Sequence, residues 1–126
     1  MSKQHAEHNE KVCDLLIADG KFNDWIVTTA FYSALHYAQN EIFPYETGGV
    51  TYRNFNHYYS SLPNSKASKH TVTLRLVGSE MSVCEQSYRW LLDACHTARY
   101  KNYNISKKKA STAKSKLDKI KSVLTK

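Results

Sequence analysis

The stretch Asp24-Trp25-Ile26-Val27-Thr28-Thr29-Ala30-Phe31-Tyr32-Ser33-Ala34-Leu35-His36 decides the fold of this chain. Placed at about 100° per residue on an α-helix, Ile26, Val27, Ala30, Phe31, Ala34 and Leu35, continued by Tyr37, Ala38 and Ile42, cover roughly half of the circumference. A helix apolar over so wide an arc belongs inside a core, and only other helices around it can bury it on most sides. The segment therefore predicts an all-α helical bundle. Thr29, Tyr32, Ser33, His36, Gln39 and Asn40 form the remaining side. Unpaired polar groups are costly in a core, so this stripe must meet hydrogen-bond partners or line a site.

Outward from that helix, the N-terminal side predicts a first helix over residues 3–19. Val12, Leu15 and Leu16, joined by Cys13, form its apolar stripe, with His8 one turn earlier. Gly20 is placed to end it in a left-handed conformation. The central helix starts near Asn23 or Asp24, either of which can cap it, and runs to Phe43, where Pro44 stops it. Residues 44–68 read as an irregular connection, since Gly48-Gly49, Pro63-Asn64 and a serine cluster are turn signals. Tyr52, Phe55, Tyr58 and Tyr59 make this connection aromatic. Interleaved with Arg53, Asn54 and His57, these rings either stack on bases or pack the connection onto the domain.

Residues 70–77 alternate, with Val72, Leu74 and Leu76 set against Thr71, Thr73 and Arg75. Alternation alone reads as a strand, but a lone strand has no ladder to join. A short helix ended by Gly78 is expected instead. The next helix spans 83–103, opened by a capping box of Ser82 and Glu85, with Cys84, Tyr88, Leu91, Leu92, Ala94, Cys95 and Ala98 as its apolar face. A last helix, capped by Ser106, runs to Leu124 on a stripe of Ala110, Ala113, Leu117, Ile120 and Leu124.

A length of 126 residues is close to the usual size of one domain, so residues 1–126 are read as a single domain. No run of apolar residues is long enough for a membrane span. The N-terminal residues lack the apolar core of an export signal, so a cytoplasmic location is expected. Cys13, Cys84 and Cys95 are odd in number and lack CxxC spacing, which supports neither a zinc site nor a disulfide framework. Free thiols in a reducing compartment are expected. The net charge of +7 is unevenly spread. Residues 101–126 carry nine lysines and one acid, Asp118, whereas residues 1–100 carry nine basic and ten acidic side chains. Such a basic segment either attracts phosphate backbones without reading sequence or serves as a solvated face.

Several of these residues also carry a family likeness. They are Ala6-Glu7-His8-Asn9, Asp24-Trp25 followed by Phe31-Tyr32-Ser33-Ala34-Leu35-His36, then His70, Arg75, Tyr88 and Ala98-Arg99-Tyr100. In their order and spacing, over about residues 6–100, the chain resembles the HEPN domains. These are small all-α proteins of prokaryotic toxin, defence and nucleotide-linked systems. The resemblance implies an antiparallel up-and-down four-helix bundle plus a fifth C-terminal helix, usually as a homodimer.

Many HEPN proteins are metal-independent ribonucleases whose signature is an arginine, four to six residues, then a histidine on a late helix. Arg89 and His96 match that spacing. Seven residues apart on a helix, they share one face two turns apart. Cleavage of RNA without metal needs a base for the 2′-hydroxyl, an acid for the leaving oxygen and a cation for the phosphorane charge. The resemblance thus gives His96 the proton-transfer role and Arg89 the phosphate. By rotation Arg89, Asp93, His96, Tyr100 and Tyr103 gather on one side, with Arg99 at its edge. Trp90 departs from the family pattern, which commonly has a polar residue after the arginine.

A second constellation is His8, His36, His70 and Arg99, with Tyr100 beside it, residues that would converge on a phosphate or a nucleotide. No two of these histidines have the i, i+4 spacing of a helical metal site, and no metal or cofactor is expected. Three functions therefore stand open. They are an RNA-cleaving or RNA-binding protein of a toxin or phage-defence system, a non-catalytic module binding a cognate partner protein such as a nucleotidyltransferase, and a nucleotide-binding domain.

Overall fold

The structure is a computed structural model in which residues 2–64 and 66–126 are described. Met1, and Ser65 of the 44–68 connection, lie outside the described residues. The chain forms α1 (Ser2–Asp19), α2 (Asn23–Ile42), β1 (Tyr45–Thr47), β2 (Val50–Tyr52), α3 (Phe55–Ser60), α4 (Lys69–Glu80), α5 (Glu85–Tyr100) and α6 (Lys107–Lys121). A single 3-10 turn, Ser82–Cys84, precedes α5. The fold is an all-α helical bundle. No helix among the described residues is long and apolar enough to cross a membrane.

The central element is α2, with α1, α4, α5 and α6 packed around it. Every apolar residue of its predicted arc, from Ile26 to Ile42, is buried. Part of its polar stripe finds partners, although the buried Nδ1 of His36 has none among the described residues. The Ser33 hydroxyl donates to the Ala6 carbonyl at 2.8 Å, the Thr29 hydroxyl to the Trp25 carbonyl at 2.7 Å, and the Gln39 amide to the Thr73 hydroxyl at 3.3 Å. Pairings of Ala6 with Ser33 and of Cys13 with Ile26 set α1 antiparallel to α2. Contacts of Trp25 with Arg99 and of Phe31 with Tyr88 set α5 antiparallel to α2. Asn23 bonds Ile105 and Glu41 bonds Thr125, so α6 runs the same way as α2. The C-terminal helix is thus one of the four principal helices, and the shorter α4 is the addition.

Several local expectations are corrected. In α1 only Ala6 and Cys13 are buried, and Leu15 of the predicted stripe is 71% exposed. Docking on α2 follows the small residue and the thiol, because Ala6 gives close approach to the Ser33 hydroxyl. Neither Asn23 nor Asp24 caps α2. Phe22 occupies the cap position without a side-chain bond, while the Asn23 amide donates to the Ile105 carbonyl at 3.0 Å. The Ser82–Glu85 capping box does not form either. Ser82 sits in the 3-10 turn, and the Glu85 carboxylate pairs with Arg89 at 3.3 Å.

Residues 69–80 are helical, with Val72, Thr73, Leu76 and Val77 buried at helical spacing. Gly78 does not end this helix. A Cβ there would meet only the flexible Glu85 carboxylate, 3.0 Å away. Gly20, at φ +76, does end α1 as expected, and Ser106 caps α6 by accepting from the Lys109 amide at 3.0 Å.

The 44–68 connection is more regular than its composition suggests. Gly48 and Gly49, both at positive φ, turn a hairpin in which Tyr45 pairs with Tyr52 and Thr47 with Val50. A two-residue turn of this kind needs left-handed backbone that glycine adopts at no steric cost. Phe43, Tyr45, Tyr52, Phe55 and Tyr58 meet edge-to-face around it, so the aromatics pack the connection down onto the bundle. Cys13, Cys84 and Cys95 are buried free thiols.

Candidate functional site

The predicted residues divide between two depressions and the open surface. The first depression lies between α2, α4 and α5. It is a small cavity of about 90 Å³ lined by Tyr32, His70, Cys95, His96, Arg99 and Tyr100, with Phe31 and Leu92 behind. Because α5 runs with Ala94, Cys95 and Ala98 inward, His96 and Arg99 emerge at the edge of its buried face. The His96 ring stands 5.2 Å from that of Tyr100. From the other side the His70 ring lies 5.3 Å from Phe31 and 5.8 Å from Tyr32. Burial pushes the Tyr32 phenol above its ordinary pKa, so it keeps its proton. At about 30 Å³ per water, the cavity has room for an anion or roughly three waters.

Arg99 extends from this cavity over α2, its guanidinium carbon 4.3 Å from the centre of the Trp25 ring. That contact joins the cavity to one end of the bundle, where α5 ends, α6 begins and α2 starts. Trp25, Tyr100 and Tyr103 are there 42%, 79% and 72% exposed. Lys101, Lys107, Lys108 and Lys109 belong to the same end, and none of them makes an ion pair with another described residue. Lys107 to Lys109 fill the first turn of α6, where the helix dipole disfavours cations.

Three other lysines of the basic segment behave differently. Lys114 pairs with Glu10, Asp14 and Asp118, Lys121 with Glu10 at 2.6 Å, and Lys126 donates to the Phe43 carbonyl. Burial raises the Glu10 carboxyl, but hydrogen bonds from Lys121 and Tyr37 and the two lysine charges outweigh it and hold its pKa below the ordinary 4.5. Lys114 and Lys121 are therefore paired with acids of α1, whereas Lys107, Lys108 and Lys109 at the start of α6, and Lys116 and Lys119 further along it, make no ion pair with another described residue.

The second depression is a cleft of about 440 Å³ to which α1, α2, α3 and α4 contribute, and His36 and His70 both line it. Burial lowers the pKa of each imidazole, with a further push on His36 from His5, whose ring is 5.0 Å away. His70 thus belongs to both depressions.

Two predicted residues stand apart. His8 is exposed on α1 and lines neither depression, so the four-residue constellation of His8, His36, His70 and Arg99 does not close as one site. Arg89 is on the exposed face of α5 as its spacing requires, but it is held by Glu85 at 3.3 Å and shares no cavity with His96. Tyr32 and Trp25 are site residues that sequence reasoning placed elsewhere, in the polar stripe of α2 and at its start. The signal available was their position one helical face away from the buried arc. Comparison with protein-family models, with curated proteins and with solved structures finds no match to this chain.

Proposed function

We propose that this protein binds single-stranded RNA at the Trp25–Arg99 end of the bundle and cleaves it without a metal ion, in the manner of an HEPN ribonuclease. The observation that carries the reading is the joint lining of one small cavity by His70, His96 and Arg99, bordered by exposed aromatic rings and uncompensated lysines. Each part answers a requirement of the chemistry. Lysines draw in the phosphate backbone, Trp25, Tyr100 and Tyr103 offer faces on which bases stack, and Arg99 holds the scissile phosphate by two N–H groups.

In the proposed reaction one imidazole takes the proton of the 2′-hydroxyl as its oxygen attacks phosphorus. The other gives a proton to the departing 5′-oxygen, leaving a 2′,3′-cyclic phosphate. His70, kept neutral by burial, suits the base role, and His96 the acid. Such proton transfers contribute about 10²–10⁴-fold each. By its resemblance the protein acts in the cytoplasm as a homodimer within a toxin or phage-defence system, and a second copy would bring Arg89 to the cleft. The test is cleavage of labelled RNA in EDTA, with His96→Ala and Arg99→Ala beside the wild type.

One observation favours a second reading, a non-catalytic module that binds a partner protein. The signature residue Arg89 is occupied by Glu85, and Trp90 follows it. Recovery of a stoichiometric partner from native lysate, together with absent cleavage, is what that reading expects.

A further inference from the structure

The outer side of α6 carries a row of lysines that the bundle does not use. At 100° per residue, Lys108, Thr112, Ser115 and Lys119 fall within about 60° of arc, with Lys116 about 60° further round. This ridge stands roughly opposite the buried Ala110, Ala113, Leu117 and Ile120. Lys108 and Lys119 are exposed, and Lys116 is half-buried. From Lys108 to Lys119 the row covers about 17 Å of helix. None of these lysines makes an ion pair with another described residue. Asp118, the one acid of residues 101–126, is held by Lys114 at 3.2 Å. Lys116 and Lys119 are neighbours on the helix surface, where like charges repel. A polyanion laid along the ridge relieves that repulsion.

The chemistry of the ridge selects among polyanions. Residues 104–126 contain no aromatic side chain, whereas Trp25, Tyr100 and Tyr103 are exposed where α5 ends and α6 begins. Sequence-tolerant binding of a single strand combines positive charge with rings on which bases stack. A duplex turns its bases inward, and an RNA duplex presents phosphates and 2′-hydroxyls along a wide, shallow minor groove. Charge without rings therefore suits a duplex better than a single strand. Ser111 and Ser115, both exposed on this side, add hydroxyls of the kind that bond phosphate oxygens. An anionic membrane fits less well. A helix lying on a bilayer inserts an apolar face, and the apolar residues of α6 are buried in the bundle.

We infer that the RNA recognised by this protein has a paired arm beside an unpaired segment, and that the arm docks on the ridge of Lys108, Lys116 and Lys119. The contacts are to phosphates, so the paired sequence itself is not read. The ridge starts at the aromatic end of the bundle and leads away from it. An unpaired segment continuing from the arm therefore reaches Tyr103, Tyr100 and Trp25. The ridge thus adds the shape of the RNA to the RNA reading, on which it rests.

The test is fluorescence anisotropy of the full chain with two labelled RNAs of equal length, an unpaired strand and a stem with an unpaired tail. The tailed stem should bind at least about tenfold more tightly than the unpaired strand, a difference of about 1.4 kcal/mol. Lys116→Ala/Lys119→Ala should abolish that preference. It should also lower the salt slope for the tailed stem by about two, at ~0.9 per phosphate contact as on duplex DNA. Affinity for the unpaired strand and the melting temperature should stay as in the wild type. Equal affinity for the two RNAs, a preference that survives in the double variant, or displacement of the stem by phosphatidylserine vesicles would overturn the inference. A lysine-dependent preference without cleavage of either RNA would remove the ribonuclease reading and leave this surface standing. Cleavage of the unpaired strand without the preference would do the reverse.

Discussion

The Arg99 guanidinium lies 4.3 Å from the centre of the Trp25 ring, which fixes the only arginine of the His96 cavity against the start of α2. A cation over an exposed indole is worth about 0.5–1 kcal/mol, and the ring, 42% exposed, also covers apolar surface, so Trp25→Ala is expected to cost at least that in chemical denaturation. Its effect on RNA is read separately, well below the unfolding midpoint. Loss of one stacking face removes about 1–3 kcal/mol per base, and the freed Arg99 is no longer aimed at the cavity. Fluorescence anisotropy with a labelled oligonucleotide reads this directly. Equal affinity in wild type and Trp25→Ala would place the RNA elsewhere.

The lysines of α6 should separate into two classes. Replacing Lys107, Lys108 and Lys109 together by alanine is expected to reduce the salt dependence of RNA binding by about two units of slope, at roughly 0.7 per phosphate contact on a single strand. The same triple variant should melt no lower than the wild type, because it removes cations from a helix N-terminus and adds good helix formers. Binding measured between 50 and 200 mM salt, on the order of the range where counterion release is read, decides this.

Glu10 should behave as a structural residue. Its carboxylate accepts from the Tyr37 hydroxyl at 2.7 Å and from Lys121 at 2.6 Å, and it is mostly enclosed. Glu10→Ala strands the buried Tyr37 phenol and removes the carboxylate partner of Lys121, while Lys114 keeps Asp14 and Asp118, at a cost on the order of 1–3 kcal/mol. Urea denaturation should show that loss while the affinity for RNA, measured well below the midpoint, changes little.

Acid should destabilise the protein in two windows. Burial lowers the folded-state pKa of His36 and His70 from 6.5, so between the folded and unfolded values the unfolded chain binds more protons. Their contribution is present above 6.5 and is lost as pH falls through the lowered folded values. Glu10 and Glu41 have lowered carboxyl pKa values, so their contribution is present above 4.5 and is lost at lower pH. Melting temperatures should therefore begin to fall already below pH 6.5, and the His36→Gln/His70→Gln variant should lose only that upper step. A wild-type curve flat down to pH 5 would contradict the assignment of neutral imidazoles in the fold.

The helical frame was legible because periodicity and burial agree wherever a helix is packed on several sides. In α2 the apolar arc is so wide that its central position follows from counting, and in α6 the alanines and Leu117 leave one face to bury. What escaped was local competition between partners. Asn23 has the chemistry of a cap, yet its amide is taken by Ile105 from across the bundle. Glu85 was equally suited to a capping box, but Arg89 one turn later offered a charged partner. Leu15 reads as core on one helix wheel, although Ala6 and Cys13 are the residues small enough to let α1 approach α2. The candidate site was legible residue by residue but not as an assembly. His36, His70, His96, Arg99 and Tyr100 all border depressions, whereas His8 and Arg89 point to solvent, and nothing in spacing along the chain says that His70 of α4 meets both groups.

Product analysis of single-stranded RNA incubated in EDTA with wild type and with His96→Ala tests the central claim most directly. Fragments ending in 2′,3′-cyclic phosphate are expected from the wild type, formed at least about 100-fold more slowly by a His96→Ala protein of unchanged fold. Intact RNA across several sequences with the wild type, or equal cleavage by both proteins, would contradict it.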